Sequence, residues 1–270
     1  VFVINHPLYD TDYYHAEIGK MLVCSTSKNG FAVYRCLECG HREHTVNFSC
    51  KGKGCLQCGK RYARDGMTRV AARLFPGFSY RQVVLTVPQQ GRIPFHNHPD
   101  QDRLNSRFMG VASACLTELI QAHFKNPDCK IAVIFFLHTN GRNGQYNPHL
   151  HVILGEGAFL PDAEQWKTFT HLSLSRLRLL CQKHLLGLMA AEFGDHEGLI
   201  EPLWEDYPDG FYAYPGNRRS EKLPKGNYQG LIKYLTKYLS SPPIGLSRIQ
   251  SYDDSQVKYY YQSHRTKGRE

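Results

Sequence analysis

Hydrophobic residues change their period several times along this chain, and each change marks an element. Arg81–Val87 is rich in β-branched residues and stops at Pro88, as a strand does. Lys130–His138 is a second apolar run of strand length, and His149–Leu154 is a third, ended by Gly155. The Asn- and Gly-rich stretch Thr139–Pro148 reads as the loop that makes the last two a hairpin. Leu104, Phe108, Val111, Cys115 and Leu119 recur near helical spacing and predict one amphipathic helix over Asp102–Lys125. Tyr62–Phe75 reads as a helix closed by Pro76 and Gly77, and Asp162–Phe193 as one or two helices. Gln229–Leu239 reads as a short helix that Pro242 stops. Gly210–Asn227 reads as loop, and Val1–Met21 shows no clear period. The order of elements predicts an α+β fold, a sheet covered by helices, rather than a doubly wound one.

Composition narrows the class. A chain of 270 residues holds one large domain, or a core domain plus a small module. With 41% hydrophobic and 21% charged residues, general disorder is excluded. No apolar run approaches the ~18 residues of a membrane span, and Val1–Asp10 lacks the pattern of a secretory leader. The expectation is a cytoplasmic protein with no membrane contact. A net charge of +9 suits a polyanionic partner. Nine cysteines, six of them between Cys24 and Cys58, form an odd, clustered set. Such a set argues for metal and against a disulfide framework.

Cys36-x-x-Cys39 and Cys55-x-x-Cys58, fifteen residues apart, have the spacing of a four-thiolate zinc site. A closed site of this kind is structural and stabilises a module too small for its own core. Cys24, His44 and Cys50, with His41 as a fourth ligand, are the candidates for a second zinc; the alternative is that they pack or replace members of the first set. Lys51, Lys53, Lys60, Arg61 and Arg64 surround this module and suit phosphate contact.

On a strand, His149, His151 and Ile153 share one face, while Leu150, Val152 and Leu154 point to the other. Two imidazoles side by side make a clamp for a divalent ion. His138, at the end of the preceding strand, reaches the same face if the hairpin forms. Two or three such ligands leave positions on Mg2+ or Mn2+ for water and phosphate oxygens. His96-Asn97-His98 has the same spacing but lies between prolines without alternation, and reads as loop.

Tyr234 and Tyr238 stand at i and i+4, one turn apart on one helix face, flanked by Lys233 and Lys237. Cations or a metal nearby would activate phenols whose free pKa is about 10. Arg218 and Arg219, in a basic loop, are candidates for gripping DNA. A zinc module, a metal-clamp strand and a two-tyrosine helix together suit a machine that cuts a DNA strand by tyrosine attack. No Gly-x-x-x-x-Gly-Lys-Ser/Thr motif occurs, so no nucleotide cofactor is expected.

With these motifs in view, the chain resembles the bacterial rolling-circle insertion-sequence transposases of the IS-ninety-one type. The landmarks are Lys20–Cys24, Tyr34–Gly40, Ser49-Cys50 with Cys55–Cys58, and Val83–Pro88. They continue with Leu137-His138-Thr139, Asn147–His151, Tyr234–Tyr238, Pro242–Arg248 and His264–Gly268. The resemblance implies a zinc-binding domain over 22–62 after a lead of 1–21. It implies a connecting helix over 63–79, a His-hydrophobic-His (HUH) nuclease domain with a central antiparallel sheet over 80–241, and a basic tail over 242–270. His149 and His151 become ligands of Mg2+ or Mn2+, with His138 as a positional third. Tyr234 and Tyr238 become nucleophiles that nick and rejoin single-stranded DNA at element ends, in a nucleoid-associated enzyme. Leu56, where proline is more typical, and Asn147, where histidine is frequent, depart from the pattern. Plasmid or phage replication initiators and relaxases share this chemistry; a zinc module directly before the nuclease fold favours the transposase. A non-enzymatic zinc DNA-binding protein is the reading from another class.

Overall fold

The computed structural model describes residues 10–52, 54–141, 143–194, 198–215, 248–253, 256–263, 266 and 268–269. The expected sites Tyr234, Tyr238, Lys233, Lys237, Arg218 and Arg219 lie outside these residues. The chain forms two compact units, one of residues 1–74 with 229–270 and one of residues 75–228.

The first unit begins with helix α1 (Asp12–Leu22), in a stretch whose sequence showed no period. The signal lies in its cap: Thr11 Oγ1 accepts from the Tyr14 amide, and Asp12 occupies the first turn. Strands β1 (Phe31–Arg35) and β2 (Glu43–Asn47) form an antiparallel ribbon. Helix α2 (Leu56–Ala71) starts at the second Cys-x-x-Cys, six residues before the expected helix at Tyr62, with Cys55 as its N-cap.

The second unit is built on one antiparallel sheet. Its strands are β3 (Tyr80–Thr86), β4 (Lys130–Asn140), β5 (Tyr146–Leu160), β6 (Gln165–Thr168) and β7 (Ala213–Pro215). Their order is β4-β5-β3-β7, with β6 paired to the far end of β5. Helices α3 (Arg92–His96), α4 (Gln101–Phe124), α5 (Leu174–Phe193) and α6 (Ile200–Asp206) complete the unit. The first unit also contains the short ribbon β8 (Ile249–Tyr252) and β9 (Val257–Tyr259).

The hairpin of β4 and β5 forms, with a turn shorter than Thr139–Pro148: both strands extend into that stretch. Strand β5 also runs through Gly155, where the sequence suggested an end. The glycines there serve close packing. A Cβ at Gly155 would lie 3.3 Å from the Trp166 ring, and one at Gly157 would lie 2.3 Å from the Lys167 carbonyl oxygen. Asp162–Phe193 is accordingly a strand and a helix, because Gln165–Thr168 pairs with β5 before α5 begins.

One face of the sheet is core. Val83, Leu85, Leu150, Val152 and Leu154 are buried and pack in one cluster with Leu104, Phe108 and Leu116 of α4 and Leu177 and Leu185 of α5. Ser173 and Asp100 cap the two helices through their side chains. The period-two alternation of β5 thus fixes which residues face the helices, and places the histidines on the opposite face.

Candidate metal centres

In the first unit, the sulfurs of Cys24, Cys50, Cys55 and Cys58 converge. Cys24 Sγ lies 3.5 Å from Cys58 Sγ and 3.6 Å from Cys55 Sγ, and Cys50 Sγ lies 3.6 Å from Cys58 Sγ. Four thiolates around Zn2+ at about 2.3 Å would stand about 3.8 Å apart, so this set fits zinc. The backbone prepares it. The Cys50 amide donates to Cys24 Sγ and the Gly52 amide to Cys50 Sγ. The first of these draws the Cys24 thiol down to about 6, whereas burial pushes Cys50 up to about 12. A dication offsets that cost by favouring thiolate at every member.

This partition differs from the one expected, in which Cys36 and Cys39 joined Cys55 and Cys58. The ribbon of β1 and β2 is the reason. Gly30 and Phe48 are bonded at its base, beside Cys24 and Cys50, while Cys36 and Cys39 occupy its far turn beyond the Arg35–Glu43 pair. Strand β1 alone, four residue steps or about 13 Å, lies between base and tip. Cys24 and Cys50 therefore complete the Cys55–Cys58 pair, and the separate Cys24, His44, Cys50 and His41 set does not form. At the tip, Cys36 and Cys39 face each other, and amides of His41 and Arg42 pull the Cys39 thiol below its usual range. His41 and His44 are not gathered with them into a three-ligand group among the described residues.

In the second unit, His138 on β4 and His149 and His151 on β5 converge, their ligand nitrogens within 4.8 Å of one another. His138 is directly opposite His149, and Phe136 opposite His151. The ring centroids lie 5.3 Å (His138–His149), 4.7 Å (His138–His151) and 5.0 Å (His149–His151) apart. The register of β4 shifts just after His138, the kind of irregularity that re-aims a side chain.

Two neighbours orient the rings. His149 Nδ1 lies 2.6 Å from the Asn147 carbonyl oxygen, which it can meet only as a donor, so Nε2 keeps its lone pair. His151 Nδ1 lies 2.8 Å from the Gln82 side-chain amide nitrogen on β3; with that amide turned over, its oxygen would accept from Nδ1–H and Nε2 would keep its lone pair for an ion. Burial, reinforced by the neighbouring imidazoles, lowers His138 to about 4 and His151 to about 3; burial also lowers His149. All three rings are neutral at pH 7, as ligands of a divalent ion must be. The donor set fits such an ion.

Sequence reasoning missed several neighbours. Gln82 sits on the histidine face of β3, but only the register of β3 against β5 reveals it. Tyr214 lies in line with Val84 and His151 across the sheet; Tyr212, just before β7, has its ring 5.9 Å from that of Tyr207. Both rings are exposed, at 61% for Tyr212 and 45% for Tyr214. The Asn147 side-chain oxygen is buried with no hydrogen-bond partner among the described residues. His96 ends α3 with its ring 4.8 Å from Tyr146, and His98 is buried against Glu192, so this pair does not join the cluster.

Two family models match the chain. One, described as a transposase zinc-binding domain, covers residues 4–87; the other, described as a putative transposase, covers 132–195 and 219–270. The chain is 29% identical over 259 residues to the "Transposase for insertion sequence element IS801" of Pseudomonas savastanoi pv. phaseolicola, covering 92% of this chain and 60% of that protein. It is 28% identical over 261 residues to the "Putative transposase y4qJ" of Sinorhizobium fredii (strain NBRC 101917 / NGR234), covering 90% and 63%. It thus spans about three fifths of the length of these relatives. No solved structure matches. With a match to a transposase zinc-binding segment followed in order by a match to a transposase segment, the chain is similar to the insertion-sequence transposases of the IS-ninety-one type, consistent with the resemblance its motifs carry.

Proposed function

We propose that this protein nicks and rejoins single-stranded DNA at the ends of an insertion sequence through a 5′-phosphotyrosine link, in rolling-circle transposition. The observation that carries this reading is the convergence of three neutral imidazoles on one face of an antiparallel sheet, as in an HUH nuclease. A bound Mg2+ or Mn2+ would polarise the scissile phosphate there. His138, His149 and His151 would hold it, Asn147 and Gln82 keeping two of the rings in orientation.

Tyr234 and Tyr238 are the nucleophiles in this reading, assigned from the sequence. A phenolic oxygen attacks phosphorus, and its proton passes to solvent. The bond from phosphorus to the 3′ oxygen breaks, and that oxygen takes up a proton to leave as a free hydroxyl. The ester energy stays in the protein–DNA link, so rejoining needs no nucleotide hydrolysis. Two tyrosines allow one to hold the first end while the other cuts again.

Single strands are favoured because a phosphate must reach a half-buried site on a sheet face. The exposed ring of Tyr214 on that face, and that of Tyr212 just before β7, offer surfaces on which bases stack. The four-cysteine cluster, closed and without an open position, would hold a structural zinc. The action on DNA places the protein in the cytoplasm with the nucleoid.

Nicking of labelled single-stranded oligonucleotides from the flanks of the element, with Mn2+, tests the reading. Replacing His149 and His151 together by alanine should lower nicking at least about 100-fold without loss of the fold. Undiminished nicking by that variant would overturn the site assignment.

A further inference from the structure

The histidine cluster has a cationic neighbour whose charge nothing in the described residues balances. Arg92 opens the short helix α3, which packs on β5 beside the cluster. The segment before it is tied to the histidine strand, since the Val87 amide donates to the Pro148 carbonyl. At its other end, His96 contacts Tyr146. The helix that carries Arg92 is therefore anchored on β5 on both sides of it. The Arg92 Nε is buried and has no hydrogen-bond partner among the described residues. Desolvation lowers its pKa, and its charge is felt at His149.

The contrast lies in the same unit. Arg103 and Arg107 both reach Glu192, and Arg81 reaches Glu156. Arg92 forms no ion pair with a described carboxylate, and among the described residues no carboxylate joins the three histidines. A divalent ion on three neutral ligands, with a guanidinium alongside, would concentrate about three positive charges in a half-buried place. An anion is needed to offset them, and a guanidinium binds phosphate oxygens through paired donors.

We infer that Arg92 binds the DNA phosphodiester presented to the histidine cluster, the phosphate lying between the guanidinium and the metal ion. The inference rests on the proposed nuclease reading and adds to it a phosphate-binding residue. In the absence of DNA, Arg92 would oppose a cation held by the histidines; with DNA bound, the phosphate would offset the charge of both. The two ligands therefore strengthen each other's binding through Arg92, and the coupling is the same measured from either side.

The test titrates Mn2+ into the full chain, wild type, Arg92→Gln and Arg92→Lys, each checked by thermal melting. Titrations are run without DNA, with a single-stranded oligonucleotide from the element flank, and with the same strand carrying uncharged methylphosphonate linkages. The wild type should bind Mn2+ about tenfold tighter with the charged strand, within the usual range of such couplings, and gain nothing from the uncharged one. Arg92→Gln should bind Mn2+ at least as tightly as wild type without DNA and lose most of the gain, while Arg92→Lys keeps part of it. Equal gains in wild type and Arg92→Gln would overturn the inference and leave the metal site standing. Mn2+ binding with no gain in the wild type would also overturn it. Failure of the wild type to bind Mn2+ at all would remove the nuclease reading and this inference together.

Discussion

The three imidazoles are neutral because the fold buries them on a sheet face, and this has a consequence for stability. In the unfolded chain a histidine takes up its proton near pH 6.5; in the metal-free folded protein His138 and His151 resist it to about 4 and about 3. Protons therefore favour the unfolded state below pH 6.5. The contribution of these residues to stability should be complete above that pH and fall progressively toward pH 3. Denaturant titrations of the metal-free protein between pH 7 and pH 4 should show the midpoint falling, and a His138→Gln variant should show a shallower fall. At the other centre, Cys58→Ser should release the bound zinc and unfold the first unit, since such a site supplies about 10–16 kcal/mol to small zinc modules. Cys39→Ser should retain that zinc, as Cys39 is not part of the four-sulfur cluster. Zinc content of the purified variants checks both, and equal loss in the two would contradict the partition. The cysteines were visible in the sequence but their grouping was not, because spacing along the chain does not reveal which of them a ribbon carries away to its far turn.

Strand β5 is the element that makes the site. Its alternation was legible: apolar Leu150, Val152 and Leu154 went to the core and both histidines to the other face. Its length was not, because glycine usually ends a strand, whereas Gly155 and Gly157 here make room for Trp166. The partners of β5 were hidden for a related reason. Gln82 and Tyr214 are ordinary residues until register sets them on the face of His151, and three-residue β7 is too short to carry a pattern. The same register makes a prediction. Replacing Tyr212 and Tyr214 by alanine should weaken binding of single strands by about 1–3 kcal/mol for each ring that stacks a base, with little change in melting temperature because both rings are exposed. Fluorescence anisotropy with a short oligonucleotide measures it, and unchanged affinity in the double variant would remove the edge strand from the interface.

At the scale of the molecule, a cysteine-bound unit and an antiparallel sheet with a histidine cluster occur in one basic chain of net charge +9. That combination was readable from motif order, since metal ligands must be polar residues at restricted spacings and so stand out from background. Among the described residues, no helix is long and apolar enough to cross a membrane. The two family segments lie in the order zinc-binding then transposase, and the curated relatives extend beyond the span matched here. In the proposed function a tyrosine of this chain becomes joined to DNA. Single-stranded oligonucleotides from the element flanks, labelled on the side of the cut that carries the 5′ phosphate, should be incubated with Mn2+ and wild type, Tyr234→Phe, Tyr238→Phe or the double variant, then resolved on denaturing protein gels. A labelled covalent band should form with wild type and disappear in the double variant. Tight binding of the strands without any covalent band, or a band that persists in the double variant, would contradict it.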